Sequence, residues 1–114
     1  MEISDYQRES RKTAIYPKTS EITYPLLGLA GEVGEFCNKI KKVLRDYGAK
    51  EISIHTIPKS IFDALEDELG DICWYLANLS TDLKLDLDAV MRNNLTKLAS
   101  RMERGKIKGS GDKR

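Results

Sequence analysis

A chain of 114 residues has room for one domain of ordinary size. Its 19 basic and 18 acidic residues nearly cancel, which excludes a strong general pull on polyanions, while 32% charged and 40% apolar residues suit a soluble globular domain. No apolar run approaches the ~20 residues of a membrane span, and the opening MEISDYQRESRK lacks the apolar core of a secretory signal, so a cytoplasmic protein without membrane or nucleic-acid partners is expected.

In chain order, a short first helix is predicted from about Ser4, as N-cap, to Ala14. Pro17 and the polar PKTSE then break it. A second helix is predicted from about Pro25 to Arg45 or Asp46, with Gly48 just past its end. The connector GAKEISIHTI alternates apolar and polar residues, which predicts a short extended piece. A third helix runs from near Pro58 to about Lys84, and a fourth from the N-cap Asp86 to just before Gly105. The domain therefore covers residues 1–104, and 105–114 form a polar, glycine-containing tail, mobile or ordered by a ligand or partner.

Helix three carries Ile61, Leu65, Leu69, Ile72, Leu76, Leu79 and Leu83 at a period of 3.6, and helices two and four carry similar stripes. The fold class is all-α: an antiparallel bundle of three long helices plus a short N-terminal one. A second strip on helix three, with Gly70, Cys73, Trp74 and Ala77, is expected to pack against another subunit, so oligomerisation completes the bundle. Cys37 and Cys73 form no C-x-x-C pair and are expected to be reduced packing residues.

Winding the helices at about 100° per residue places charge beside the buried stripes. Glu32, Glu35 and Lys39 share one flank of helix two. Glu68 and Asp71 share one flank of helix three with Tyr75, Asn78 and Asp82. Asn94, Lys97 and Arg101 give helix four a basic flank. Acids three apart stand roughly 5–6 Å from each other and can share a cation. Four carboxylates suit a hard ion, magnesium or manganese, and magnesium usually keeps some water and substrate phosphates as ligands. The basic flank would hold those phosphates. The bland alternative stays open at this point: each acidic pair also reads as surface charge, and Lys39 as a helix partner of Glu35. Tyr75 reads as packing on periodicity alone. His55, the one histidine, reads as a loop residue, which argues against a di-iron bundle. The glycines of GLAGEVGEF, Gly28, Gly31 and Gly34, would allow close approach of a ligand or another helix.

These residues resemble the MazG-like all-α nucleoside triphosphate pyrophosphohydrolases, whose signature is E-x-x-E on one helix and E-x-x-D on a later one. GLAGEVGEF supplies Glu32 and Glu35, and LEDELGDICWYL supplies Glu68, Asp71 and Tyr75. NLTKLASR adds Asn94, Lys97 and Arg101, and both chain ends look like the short single-domain members, many of them phage or bacterial. Thirty-two residues separate Glu35 from Glu68, slightly more than the commonest spacing, with the excess in the connector. The resemblance implies hydrolysis of the α–β phosphoanhydride of a (deoxy)nucleoside triphosphate to the monophosphate and pyrophosphate. It implies Mg2+, with Mn2+ as substitute, on Glu32, Glu35, Glu68 and Asp71. A helix-two glutamate, Glu35 before Glu32, would act as base. Lys97, Arg101 and Asn94 would contact phosphates, Tyr75 the sugar or base, and Lys39 a phosphate less directly. A homodimer or homotetramer is implied. The alternatives are phosphoribosyl-ATP pyrophosphohydrolase activity and a non-catalytic helical oligomerisation module.

Overall fold

The computed structural model describes residues 1–114 and is helical throughout, with no strand. Helix α1 is Ile3–Ser10 and continues as a 3-10 turn over Arg11–Thr13. It starts one residue before the expected Ser4 cap, because the backbone N–H of Glu2 donates to Asp5 Oδ2 at 3.1 Å. Helix α2 is Thr23–Asp46 and also begins early. Pro25 is thus its third residue, where its missing N–H would have had no partner in any case. Gly48 follows the helix end at φ 66, as a C-terminal glycine should.

The expected extended piece in the connector is absent. A lone extended segment has no neighbouring strand for its backbone groups. Turns take its place, held by Thr56, whose hydroxyl donates to the Glu51 carbonyl at 2.9 Å and accepts from the Ser53 N–H at 2.8 Å. Helix α3 is Lys59–Asp82 and stops before Lys84, which turns left-handed at φ 61. Helix α4 is Leu87–Glu103, with Asp86 Oδ1 accepting the Asp88 N–H at 3.0 Å. No helix is long and apolar enough to cross a membrane.

Helices α2 and α3 form an antiparallel hairpin, and α1 lies along another side of α3. Three side-chain bonds fix α1 and the 3-10 turn after it: Gln7 Nε2 to Thr81 Oγ1 at 3.1 Å, Trp74 Nε1 to Thr13 Oγ1 at 2.8 Å, and Arg11 Nη1 to Asp82 Oδ1 at 2.7 Å. Ala77 is fully buried within this chain, and Trp74 is partly covered by the turn after α1. The strip expected to face another subunit is thus half used inside the chain, and only Gly70 and Cys73 remain exposed. Cys37 and Cys73 are free and exposed rather than packed.

Helix α4 touches this body only lightly, and Leu87 and Arg101 are its buried residues. Past Leu87 its apolar stripe is exposed, most of all at Leu95, 68%, and Met102, 69%. The buried apolar core is just Val43, Leu65, Ala77 and Leu87. The radius of gyration is 17.4 Å, against about 13 Å for a compact chain of this length. The bundle is open on the α4 side. The tail is not loose: it folds back on the end of α4, where Arg101 Nη2 donates to the Asp112 carbonyl at 2.8 Å and Arg104 Nη2 to that of Arg114 at 2.9 Å.

One buried polar knot sets where α2 starts. The Asp82 carboxylate is wholly enclosed and accepts from Arg11 Nη1, from the Tyr16 hydroxyl at 2.8 Å and from the Ile22 N–H at 2.9 Å. Burial pushes its pKa up, but these donors together outweigh that and hold it below the ordinary carboxylate value. Ile22 sits at φ 68, ψ −57, with the Thr23 N–H donating to the Glu21 carbonyl at 2.8 Å. That is a γ-turn, strained for a β-branched residue and held in place by the bond to Asp82.

Candidate metal centre

The hairpin register decides which carboxylates meet. Gly28 lies one turn before Glu32, and Tyr75 one turn after Asp71. The Tyr75 ring rests where a side chain on residue 28 would stand: an added Cβ would overlap Cε1, Cζ and Cδ1, even the last being only 2.5 Å away. With no side chain in the way, the ring packs on the α2 backbone and the helices approach closely. Nothing lies within 4 Å of such an atom at Gly31 or Gly34, so only Gly28 is explained by helix approach.

Across this close seam, carboxylate oxygens of Glu32, Glu68 and Asp71 lie within 4.8 Å of one another. Glu32 and Glu68 are half-buried and Asp71 is exposed. Like charges this near cannot all ionise freely. The neighbouring Glu68 carboxyl, with burial and the charges of Glu68, Asp71 and Glu35, raises the pKa of Glu32. Glu68 is lowered, first by the Lys39 ammonium and then by the neighbouring Glu32 carboxyl. Lys39 Nζ reaches across from α2 to Glu68 Oε1 at 2.6 Å, and its own pKa is raised by that bond.

Glu35 is exposed and stands outside the cluster of three, though its charge is felt by Glu32 and Lys39. Tyr75 sits beside the acids, its pKa raised mainly by burial, then by Tyr24, Glu32 and Asp71. Sequence reasoning did not single out the tyrosines that extend it. Tyr24 lies 6.3 Å from Tyr75 between ring centroids and stacks on Tyr16 at 4.8 Å. The available signal was position: Tyr24 is one turn before Gly28, on the face that meets Tyr75.

Asn94 and Lys97 line a separate recess with Val90 and Asn93, and no acid of the cluster lines it. Lys97 Nζ is 3.9 Å from Asp112 Oδ1. Arg101 is 4% exposed, covered by the tail. Its Nε is buried without a partner. The basic flank thus exists on α4, and this chain turns it to its own tail.

A helical hairpin that brings a glutamate of one helix against the E-x-x-D pair of the next defines a helical protein with a built carboxylate cluster. The model of the MazG nucleotide pyrophosphohydrolase domain matches residues 21–105, from the γ-turn before α2 through all of α4. The chain belongs to that family, whose activity is nucleotide pyrophosphohydrolysis. It is 42% identical over 120 aligned positions to the gene 37 protein of Mycobacterium phage L5, and the match covers all of both chains. No solved structure matches.

Proposed function

We propose that the protein is a magnesium-dependent pyrophosphohydrolase of nucleoside or deoxynucleoside triphosphates. It would cleave the α–β phosphoanhydride to the monophosphate and pyrophosphate in the cytoplasm. The observation that carries this is the meeting of Glu32, Glu68 and Asp71 across the α2–α3 seam. The donor set fits a hard divalent ion: it is all carboxylate oxygen, with no histidine or thiol, crowded within 4.8 Å. Glu32, Glu68 and Asp71 would hold Mg2+ or Mn2+. The ion would offset charge on the phosphates and make a bound water more acidic.

The chain's own groups supply the rest. Glu35 is exposed and outside the crowded three, so it is free to take a proton from water. The row Tyr75, Tyr24, Tyr16 leads away from the acids and offers aromatic faces to the sugar and base. Lys39, bonded to Glu68 at the seam, would contact a phosphate there.

Asn94, Lys97 and Arg101 require more. The uncovered stripe of α4 and the small core support a homodimer or homotetramer. In the assembly the basic flank of α4 would face a nucleotide at an acidic seam.

The test is pyrophosphate release from a panel of NTPs and dNTPs with and without Mg2+. We expect metal-dependent release that falls by about two orders of magnitude or more in Glu68→Gln and Asp71→Asn, since even outer-shell changes cost 10–100-fold. Release that survives either change refutes the site. Hydrolysis of no nucleotide in any divalent metal points to a non-catalytic helical module.

A further inference from the structure

The lysine–carboxylate pairs of this chain are mostly local and exposed: Lys12 with Glu9 and Lys59 with Asp63 each lie within one element or its immediate continuation. Lys39 differs. It bridges two long helices, and its side chain and that of Glu68 are only 28% and 14% exposed. It also ends on one of the three carboxylates that meet across the seam. Glu68 Oε1 therefore accepts from the Lys39 ammonium across the seam, beside Glu32 and Asp71.

We propose that Lys39 is a tethered counter-cation of the cluster: its ammonium holds Glu68 in the metal-free chain, competes with a divalent cation for that carboxylate, and is released toward the nucleotide phosphates when the cation binds.

The charge count supports the competition. Glu32, Glu68 and Asp71 crowd one seam, and Lys39 is bonded to Glu68 among them. An ammonium is a compact point charge, so it offsets a carboxylate much as a small ion does. A lone pair donating to a cation cannot also accept from Lys39. Once displaced, the ammonium stays tethered to α2 by four methylenes, within reach of whatever anion lies over the seam. A free cation would be lost to solvent, whereas Lys39 is retained for the second task. The chain would thus bind metal weakly by itself and more tightly with a nucleotide, which gives the displaced ammonium a new partner.

This inference rests on reading Glu32, Glu68 and Asp71 as the metal site, and the experiment separates the two. Mn2+ binding is measured by electron paramagnetic resonance and by calorimetry, without nucleotide, on wild type, Lys39→Met and Lys39→Arg. A thermal melt of each establishes folding. Removing one like charge from a half-buried site should tighten Mn2+ binding about tenfold in Lys39→Met. Lys39→Arg keeps the competing charge and should bind no more tightly than wild type. With Mg2+ saturating, Lys39→Met should raise the nucleotide KM more than it lowers kcat. A purely structural lysine gives the opposite sign, because Glu68 loses its support and Mn2+ binds more weakly in Lys39→Met. Weaker or unchanged binding overturns the proposal while leaving the metal site standing. Mn2+ that binds none of the three proteins overturns both.

Discussion

Gly28→Ala puts the hairpin seam to a direct test. The new Cβ would meet three carbons of the Tyr75 ring, and the farthest, at 2.5 Å, falls 0.9 Å short of the 3.4 Å where ordinary contact begins. A phenol ring is rigid, so the whole ring must retreat or the helices must part. Overpacking of this kind costs about 1–3 kcal/mol. Replacing a helical glycine by alanine returns about 1 kcal/mol. With three atoms overlapping, the cost should lie near its upper end, for a net loss of about 1–2 kcal/mol. That is a fall of roughly 4–8 °C in Tm for a chain of this size. Gly31→Ala is the control, since nothing lies within 4 Å of its added atom. It should gain up to about 1 kcal/mol. Urea unfolding of both variants measures the difference. The opposite signs are the prediction, together with lower hydrolysis in Gly28→Ala as the ring beside Glu32 and Asp71 moves. If Gly28→Ala is as stable as Gly31→Ala, the close seam does not exist and its account of the carboxylate cluster fails with it.

Asp82→Ala should cost about 3 kcal/mol, because the Arg11 guanidinium and the Ile22 N–H lose a buried anionic acceptor. The folded pKa of Asp82 is lowered, so its contribution is present above the ordinary carboxylate value near 4 and fades as pH falls through the lower one. Thermal melts from pH 5 downward should show a shallower acid decline in Asp82→Asn than in wild type, and an equal slope would contradict the knot. Leu95→Asp, on the uncovered stripe of α4, should shift the light-scattering mass toward the monomer while α1–α3 keep their helicity. An unchanged mass would mean that this stripe makes no subunit contact. Truncation after Gly105 removes the tail carbonyl that Arg101 uses, and should free its guanidinium, read as a changed salt dependence of the nucleotide KM.

The sequence alone determined the helices, because local rules govern them. Apolar period, Asp86 as cap, and Gly48 and Gly105 as stops act within a few residues of chain. The same period placed Glu32, Glu68 and Asp71 beside the buried stripes, and the paired E-x-x-E and E-x-x-D pointed to the family. Tertiary structure alone decided which of these flanks touch. Only the hairpin register puts Lys39 on Glu68 and leaves Glu35 outside the cluster, since helical periodicity contains no information on how one helix slides along another. The strained Ile22 and the buried Asp82 depend on contacts with residues about sixty positions away, which no local pattern encodes. The glycines of GLAGEVGEF show the division most plainly. Their positions are plain in the sequence, yet only the fold distinguishes Gly28, which has a tyrosine ring in the space of its absent side chain, from Gly31 and Gly34, which face open space.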